Sequence, residues 1–388
     1  MDGRSATVIP PGTVVRYGRG SVSSVPELVE SLSAGRVLIV HGARSFEESG
    51  ASRMLGSFDG RTRVWQWYGF APDPDIEDLE RGLALVREMR PDTVVAVGGG
   101  SAMDMAKMLC AFEDVPPHEI EDRVRSGEPV DRRRMGLALV PTTAGSGSEA
   151  THFAVLYVGD AKFSVSGRAL LPDAVAIDPE LSESCSAHRR AVSGMDAVSQ
   201  AIESLWAVGA CEESRNLARR GLKVLLSGIE DFVLLPHAGA SRAMAVGSHL
   251  AGRAINLSRT TGAHALSYGL TRRHGVDHGH AVALTLGAFM DVHTRAAASD
   301  LRPGVRWSTH RRAVDDLVRL FGASDPAGLG ESFAGLGRRL GLAMELSAVG
   351  VRTSAEAREL AGTVNAQRLR NNPVDFSHEE LTDLLMRC

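Results

Sequence analysis

The sequence predicts a chain of two parts, an α/β domain with a parallel sheet over residues 1–188 and an all-helical domain over residues 189–388. In the first half, short continuous apolar runs end in glycine turns and alternate with amphipathic segments, a pattern typical of strands buried on both faces of a parallel sheet. From Gly194 onward, alanine-rich helical spacing dominates. A length of 388 residues with 44% hydrophobic content suffices for two separate cores.

Charge and composition argue against several classes of protein. The 43 basic and 47 acidic residues give a net charge of -4 and form no basic tail or stripe, so nucleic acid is not an expected partner. No stretch reaches the roughly 18 apolar residues of a membrane span, and the N-terminal segment has no apolar signal core. We therefore expect a cytoplasmic protein. The four cysteines form no CxxC pair, which favours reduced thiols over a disulfide or zinc framework.

The predicted elements of the first half follow in order. Residues 10–22 have the pattern of a hairpin or an edge strand with turn glycines. Helical spacing of apolar residues predicts helices over residues 25–32 and 76–89, and the second of these ends before Pro91. Apolar runs predict strands over residues 36–41, 93–97 and 137–140, and alternation of apolar and polar residues predicts one over residues 62–68.

Two glycine-rich turns follow predicted strands. The first contains Gly98, Gly99, Gly100 and Ser101 and leads into a helix that carries Asp104. Side-chain-free backbone at a helix N-terminus favours phosphate, because the free amides and the helix dipole attract an anion. The turn matches neither GxGxxG nor a Walker A loop, and a simple tight turn is the plain alternative. The second turn, PTTAGSGSEAT, adds hydroxyl groups at Thr142, Thr143, Ser146 and Ser148. Two such turns predict a dinucleotide at the carboxyl edge of the sheet.

The second half concentrates polar groups on predicted helices. Asp196, Gln200 and Glu203 share one face of a helix, because they stand at positions i, i+4 and i+7. His264 and Tyr268 are also four residues apart, and His278 follows a glycine turn at a possible helix start. One carboxylate and two imidazoles suit zinc, iron or another divalent transition metal. Taken singly, each side chain is as well explained as a helix cap or a buried hydrogen-bonding group.

The motifs GGGSAMDMAK, PTTAGSGSEAT, GMDAVSQAIES, GAHALSYGL and HGVDHGHAVAL, in this order and spacing, resemble the iron-containing (group III) alcohol dehydrogenases. The resemblance implies a Rossmann-like dinucleotide-binding domain, a helical domain as in dehydroquinate synthase-like proteins, and an active site in a cleft between them. It implies hydride transfer between a nicotinamide and a carbonyl carbon, with a divalent metal such as Fe or Zn polarising the oxygen. Family members commonly form dimers, so a homodimer is expected.

Carried over by position, the resemblance assigns the metal to Asp196, His264 and His278, whereas the fourth ligand position, usually His, is occupied by Gln200. An amide oxygen is a weaker ligand than imidazole, so we expect a retained but weakened metal site. Tyr268 stands where many members carry another histidine, and its phenol is a candidate proton donor. Lys162 and His280 are further catalytic candidates, although His280 and His274 also suit supporting or surface positions.

The resemblance also bears on which nicotinamide cofactor is used. NAD-preferring members often place an aspartate directly after the strand over residues 36–41, and this chain has Gly42 there, with Arg44 and Ser45 close by. Loss of a carboxylate and gain of a guanidinium admit the 2'-phosphate of NADP, so NADP is expected and NAD stays open.

Within the family, the chain is most similar to phosphonoacetaldehyde reductases, on the segments PGTVVRYG, ESLWA, LSRTTGAHALSYGLT and RLRNNP. A phosphonate needs fixed cations and amide donors. The candidates are Arg253, Arg259, Arg368, Arg370, Asn371 and Asn372, of which we select Arg259, Asn371 and Asn372 as substrate contacts. A metal-free reductase of the maleylacetate type, a dehydroquinate-synthase-like cyclase that uses NAD and metal, and a non-catalytic binding protein are the alternatives.

Overall fold

The computed structural model describes residues 13–32 and 35–388, so residues 10–12 of the predicted opening segment lie outside the described residues. The chain forms two compact units. The first comprises the described residues up to Thr143 together with Gly147–Ser184, and the second comprises Ala144–Ser146 together with Cys185–Cys388. The passage between the units at Ser184 and Cys185 is near, but not at, the boundary predicted after residue 188. That boundary stays a prediction.

The elements of the first unit, in chain order, are β1 (Val14–Tyr17), α1 (Val25–Ser31), β2 (Arg36–His41), α2 (Ser45–Glu48), β3 (Arg63–Trp67), α3 (Ile76–Met89), β4 (Thr93–Gly98), α4 (Gly100–Ala111), α5 (Ile120–Ser126), β5 (Gly136–Pro141), β6 (Phe153–Val158), β7 (Ala161–Ser166) and β8 (Ala174–Ile177). Six strands form one sheet in the order β1-β8-β5-β4-β2-β3, and every neighbouring pair in it is parallel. The predicted α/β fold is confirmed. The strands β6 and β7 form a separate antiparallel pair.

Burial on both faces explains why these strands appear as continuous apolar runs. In β2, Leu38 and Val40 belong to a core cluster with α3 and α4, whereas Val37 and Ile39 belong to a second cluster with α1. Successive strand residues point to opposite faces, so both faces of the sheet are covered. At its edge, β1 pairs with β8 in parallel, so the edge-strand alternative is correct and the hairpin alternative is wrong.

Local signals set the ends of α3. The side chain of Asp75 accepts a hydrogen bond from the amide of Asp78, and the side chain of Asp78 accepts from the amide of Asp75, which forms a capping box. The helix ends at Arg90, whose φ of 48° is left-handed. Pro91 follows directly, and a proline disfavours helical backbone in the residue before it. The predicted bounds of this helix are those observed.

The second unit contains α6 (Ala187–Trp206), α7 (Glu212–Leu226), α8 (Ile229–Leu234), α9 (Ala238–Ser258), α10 (Gly262–His274), α11 (His278–Arg295), α12 (Trp307–Phe321), α13 (Leu329–Arg339), α14 (Ser354–Ala361), α15 (Ala366–Leu369) and α16 (His378–Leu385). The predicted all-helical part is confirmed for the described residues. The central helix is α6, which packs against α7, α9 and α11. Within the described residues, no helix is both long and apolar enough to span a membrane.

The three-residue segment Ala144–Ser146 belongs to the second unit although both of its flanks belong to the first. Gly145 packs so closely on α6 that a Cβ at this position would lie 2.7 Å from the Cβ of Ser193. A residue with a side chain would push this segment away from the helix. The glycine in the hydroxyl-rich turn therefore has a packing role that the sequence motif did not indicate.

Candidate metal centre and dinucleotide site

The glycine turns of the first unit meet at the carboxyl edge of the sheet. A Cβ added to Gly98 would lie 2.7 Å from the Cβ of Ala102 and 3.6 Å from the backbone nitrogen of Gly42. The amide of Thr142 donates a hydrogen bond of 2.9 Å to the carbonyl oxygen of Gly98. A Cβ on Gly99 would lie 3.4 Å from Oγ1 of Thr143. The turns after β2, β4 and β5 are thus direct neighbours. Because glycines have no side chain, they leave space between these turns that a side chain would fill.

This edge is a candidate phosphate site. The chain runs from β2 to β3 on one side and from β4 to β5 on the other, so β2 and β4 flank the point where the connections change direction. Ligands of open α/β sheets bind at such a point. The helix α4 begins there at Gly100, and first-turn amides have no carbonyl partner inside a helix. The neighbouring Ser101 accepts a hydrogen bond of 3.2 Å from the amide of Asp73.

Two buried charged side chains, Asp104 and Lys107, support the hydroxyl-rich turn from behind. Asp104 accepts a hydrogen bond of 2.6 Å from the hydroxyl of Ser148 and one of 3.0 Å from the amide of Val155. Lys107 is fully buried, and Nζ donates to the carbonyl oxygens of Ser148, Thr151 and Phe153 and to the hydroxyl of Thr151. Burial raises the pKa of Asp104 and lowers that of Lys107 to about 8. Asp104 and Ser148, expected to bind cofactor, thus bind each other.

Sequence reasoning missed Lys107, although a lysine in an otherwise apolar helix, three residues after Asp104, was an available signal. Buried lysine is rare unless its charge is compensated, and here backbone carbonyl oxygens and a carboxylate compensate it. Asp104 and Lys107 therefore both form hydrogen bonds with the turn that follows β5.

The residues expected to select the dinucleotide lie just past β2. Gly42 follows the strand directly, and Arg44 is exposed. A Cβ at position 42 would collide with Oγ of Ser45. His41, the last residue of the strand, stacks on Phe46 with ring centroids 4.2 Å apart. A carboxylate at position 42 would therefore require the Ser45 side chain to move.

In the second unit, Asp196 on α6, His264 on α10 and His278 at the start of α11 form a cluster of potential metal ligands. One donor atom from each lies within 4.8 Å of the others. The rings of His264 and His278 have centroids 5.5 Å apart at an interplanar angle of 66°. The cluster joins α6 to the consecutive helices α10 and α11, and it contains the three residues that the resemblance assigned to the metal.

Buried donor atoms of this cluster test whether a metal fits it. Oδ1 of Asp196, Oε1 of Gln200 and Nε2 of His264 are buried and make no hydrogen bond within the described residues. Oδ1 of Asp196 approaches Nε2 of His264 to 3.4 Å as an ion pair without hydrogen-bond geometry. Buried polar atoms without hydrogen bonds are costly, and coordination of a metal would satisfy all three. The donor set of carboxylate, imidazole and amide oxygen fits a divalent transition metal.

Gln200 is oriented by the segment Ala144–Ser146. Its Nε2 donates a hydrogen bond of 3.1 Å to the carbonyl oxygen of Ser146. Because the amide nitrogen is used in this way, the amide oxygen Oε1 is the atom left for the cluster. Ser146 was expected to bind cofactor, and its carbonyl oxygen positions the residue at the fourth ligand position.

The charges of the cluster are strongly coupled. Burial lowers the pKa of His264, but the carboxylates of Glu203 and Asp196 outweigh it and raise this pKa to about 10. Burial raises the pKa of Asp196, whereas the two histidines and Gln200 lower it below the ordinary value. A cation is therefore favoured between these groups, and a bound metal would take the place of the His264 proton.

Of the catalytic candidates, Tyr268 lies beside a member of the cluster. The Tyr268 ring stacks on His278 with centroids 6.2 Å apart and an interplanar angle of 19°. His280 is buried, and its Nε2 lies 2.6 Å from the carbonyl oxygen of Ala343, to which the ring donates. Lys162 lies in the first unit, 3.8 Å from Asp73 and over the ring of Tyr157. These contacts give His280 and Lys162 structural partners, and their catalytic roles stay predictions.

Two of the residues expected to contact substrate, Asn371 and Asn372, form hydrogen bonds with the backbone. The side-chain amide of Asn371 donates to the carbonyl oxygens of Ser258 and Thr260, and its oxygen accepts from the amide of Gly209. Asn372 is fully buried, and its amide donates to the carbonyl oxygen of Val374. Both asparagines therefore hold backbone in place, which corrects their expected contact with substrate.

Arg259 has unusual backbone and unusual surroundings. It ends α9 with a φ of 60°, a left-handed value that residues with a Cβ rarely adopt. Burial and the neighbouring Arg368 lower the pKa of its guanidinium to about 10. Arg368 donates a hydrogen bond of 3.1 Å to the hydroxyl of Thr260. The positive charges of the two guanidinium groups therefore lie close enough to repel each other.

The fold and the donor atoms of the two candidate sites suit a dinucleotide and a divalent metal. Sequence profiles described as "Iron-containing alcohol dehydrogenase" and "Fe-containing alcohol dehydrogenase family, C-terminal" match residues 12–179 and 190–388. The chain belongs to the iron-containing alcohol dehydrogenase family.

Individual relatives agree with this family. The chain is 34% identical over 265 residues, 65% of its length, to a phosphonoacetaldehyde reductase from Streptomyces viridochromogenes, of which the match spans 66%. It is 28% identical over 84% of its length to an aldehyde-alcohol dehydrogenase of Streptococcus pneumoniae, of which it spans 40%. Its structure is similar to that of sulfoacetaldehyde reductase from Bifidobacterium kashiwanohense in complex with NAD+, with a TM-score of 0.86, 26% identity and 98% of each chain covered.

Proposed function

We propose that the protein reduces phosphonoacetaldehyde to 2-hydroxyethylphosphonate, with hydride supplied by NADPH or NADH. Two relatives support a small aldehyde that carries an anionic group, since one is a phosphonoacetaldehyde reductase and the other a sulfoacetaldehyde reductase. A phosphonate carries more negative charge than a sulfonate. A site with two guanidinium groups therefore suits the phosphonate better.

The observation that carries this choice is the pair formed by Arg259 and Arg368. Arg259 stands two residues before Thr261, whose hydroxyl donates a hydrogen bond of 2.9 Å to Glu203. Glu203 in turn contacts the ring of His264. The positive region is therefore built on the same short segment as one of the metal ligands. A substrate anion bound there would keep its aldehyde group near the cluster.

In the proposed mechanism, Asp196, His264, His278 and Gln200 hold a divalent metal. The metal, when bound, acts as a Lewis acid toward the aldehyde oxygen. The guanidinium of Arg259 binds the phosphonate and limits the rotation of the substrate. The carbonyl carbon accepts hydride from the nicotinamide, and the oxygen accepts a proton, so that a primary alcohol results. We assign the proton to the phenol of Tyr268, which stacks beside His278.

For the dinucleotide, we propose binding along the turns that contain Gly42, Gly98, Gly99, Gly100 and Thr143, with the pyrophosphate at the start of α4. NADPH is the proposed preference. Position 42 carries no carboxylate to repel a 2'-phosphate, and the exposed Arg44 offers a positive charge two residues later.

A metal-free reductase of the maleylacetate type is the second candidate, and the amide at position 200 favours it. An amide oxygen contributes less to metal affinity than an imidazole. In that case Arg259 would bind a carboxylate, and Asp196, His264 and His278 would act on substrate directly. Metal content separates the two candidates.

The deciding experiment follows the absorbance of NADPH and of NADH with phosphonoacetaldehyde, sulfoacetaldehyde, acetaldehyde and maleylacetate, before and after chelation and readdition of iron or zinc. We expect the highest kcat/KM with phosphonoacetaldehyde and loss of turnover on chelation. Equal kcat/KM for acetaldehyde would contradict the proposed substrate. Full turnover without bound metal would favour the maleylacetate type.

A homodimer and a cytoplasmic location complete the proposal. Light scattering after size-exclusion chromatography measures the mass in solution, and a mass near 83 kDa, roughly twice the chain mass of 41.3 kDa, is the expected result. A mass of one chain would contradict the dimer.

A further inference from the structure

In each of the two histidines of the candidate metal site, Nδ1 contacts a side chain that is not a metal ligand. Nδ1 of His264 donates to Oε2 of Glu203. Nδ1 of His278 lies 3.3 Å from the hydroxyl oxygen of Ser267. Glu203 and Ser267 are both fully buried. Neither residue belongs to the ligand set, and both lie where they can set the direction of a ligand ring.

The carboxylate of Glu203 holds both the ring and the backbone of His264. Oε2 accepts from the ring. Oε1 accepts from the hydroxyl of Thr261 at 2.9 Å, from the amide of Ala263 at 3.0 Å and from the amide of His264 itself at 3.4 Å. The first turn of α10 and the imidazole that projects from it are therefore fixed by one group. Four donors converge on this carboxylate, which accounts for a fully buried acid on α6.

Ser267 orients the imidazole of His278, because its hydroxyl can only accept a hydrogen bond from that ring. Its hydroxyl hydrogen is donated to the carbonyl oxygen of His264 at 2.8 Å. The hydroxyl oxygen can then only accept from His278, so Nδ1 of His278 carries the hydrogen. In the same way a carboxylate only accepts, so Nδ1 of His264 carries a hydrogen too. Both rings are thereby directed to offer Nε2 to the cluster.

We propose that Glu203 and Ser267 are positioning residues that keep a hydrogen on Nδ1 of His264 and of His278, so that both rings already direct Nε2 to the metal site before the metal binds. This inference rests on the metal site of the proposed function. Groups behind metal-ligating histidines fix the ring orientation and increase the basicity of the ligand nitrogen. Such positioning groups matter most when one of the metal ligands is weak, as Gln200 is. The site would then compensate for a poorer fourth ligand by prior orientation of two stronger ones.

Glu203 also caps α10, and a capping role alone would explain its burial. The variant Glu203→Gln separates the roles. A glutamine has one oxygen and one NH2 group in place of two oxygens. If the oxygen accepts from the backbone amides, the NH2 group faces Nδ1–H of His264, and two donors oppose each other. The histidine must then rotate or change its tautomer, although the cap is retained.

The test uses full-length protein freed of metal by chelation and titrated with Co2+ against a chromophoric competitor. For Glu203→Gln we expect the Co2+ dissociation constant to rise by about 10–100-fold, and for Ser267→Ala by about tenfold. The visible spectrum of bound Co2+ should change in Glu203→Gln, because the ligand geometry changes. Ser248→Ala is the matched control, since Ser248 is a buried helical serine that donates to a carbonyl oxygen three residues earlier. Its affinity should equal that of the unsubstituted protein.

The outcomes are distinguishable. A lower unfolding temperature of metal-free Glu203→Gln with an unchanged Co2+ affinity and spectrum would leave capping as its only role and overturn the proposal for Glu203. An unchanged affinity in Ser267→Ala would overturn it for Ser267, and this variant decides the matter if Glu203→Gln does not fold. Failure of the unsubstituted protein to bind Co2+ would overturn the metal site itself and this inference with it.

Discussion

Nζ of Lys107 lies 2.6 Å from the carbonyl oxygen of Ser148, a residue 41 positions later in the chain. The contact joins the middle of α4 to the hydroxyl-rich turn and is fully buried. Because α4 also begins at the glycine turn, one helix supports both turns of the proposed dinucleotide site. This support depends on the ammonium group of Lys107, and burial of a charged group is costly.

Replacement of Lys107 by methionine should therefore destabilise the first unit. The change leaves Asp104 as a buried carboxylate without its cation and removes the donor from several carbonyl oxygens. We expect a loss of about 3–5 kcal/mol in the free energy of unfolding, measured by urea denaturation. Lys223→Met on α7 is the control, because Lys223 is exposed. A loss below about 1 kcal/mol would show that the buried cation is dispensable.

Acid should weaken the second unit through two buried histidines. Nδ1 of His293 lies 2.9 Å from Nε2 of His310. Burial, with repulsion from His310, lowers the pKa of His293 to about 3, and burial lowers that of His310 to about 4, both from an ordinary 6.5. The unfolded chain therefore binds protons that the folded chain does not. Stability is fully present above about pH 6.5 and is lost toward pH 4, by about 1.4 kcal/mol per pH unit for each histidine.

The variant His310→Gln measures this contribution. The slope of the free energy of unfolding against pH should become shallower by about 1.4 kcal/mol per pH unit between about pH 4 and 6.5. His118→Gln, at an exposed side chain, should leave the profile unchanged. An unaltered slope in His310→Gln would mean that His310 is charged in the folded protein.

A carboxylate at position 42 should turn the cofactor preference toward NADH. The double variant Gly42→Asp with Ser45→Ala introduces the charge and removes the hydroxyl that a Cβ would meet. The ratio of kcat/KM for NADPH to that for NADH should fall by about 10–100-fold, equivalent to about 1.4–2.8 kcal/mol of repulsion. Ser45→Ala alone serves as the control. A constant ratio would place the 2'-phosphate away from this turn.

Removal of one guanidinium should weaken binding of the phosphonate but not of a neutral aldehyde. For Arg259→Gln we expect KM for phosphonoacetaldehyde to rise by about 10–100-fold, since a hydrogen bond to a charged group contributes about 1.5–3 kcal/mol. KM for acetaldehyde should stay within about twofold. Arg370→Gln, at an exposed residue of the same region as Arg368, is the control. A parallel rise for both aldehydes would indicate a structural role for Arg259.

Restoration of an imidazole at the fourth ligand position should tighten metal binding. For Gln200→His we expect the dissociation constant for Zn2+ to fall on the order of tenfold, which is about 1.4 kcal/mol. The measurement is competition with a chromophoric chelator. Gln200→Leu provides the contrast, and it should bind less tightly than the unsubstituted protein. Weaker binding by the histidine variant would show that residue 200 does not face the metal.

Local physical chemistry decided much of the fold in advance. The run over residues 36–41 became β2 because a strand buried on both faces needs continuous apolar residues. The bounds of α3 followed from its capping box and Pro91. The spacing on α6 and α10 correctly placed Asp196 and His264 on helices, and the resemblance then joined them to His278.

Tertiary structure alone decided which polar side chains were available for chemistry. The sequence by itself determined residue type and spacing, but a hydrogen-bonding group is usable only if no distant partner occupies it. Asn371 and His280 are occupied by backbone carbonyl oxygens that are 113 and 63 positions away. Glu203 contacts His264 at a separation of 61 positions. Such pairings depend on how helices pack, because burial forces each polar group to find a partner that local spacing does not specify.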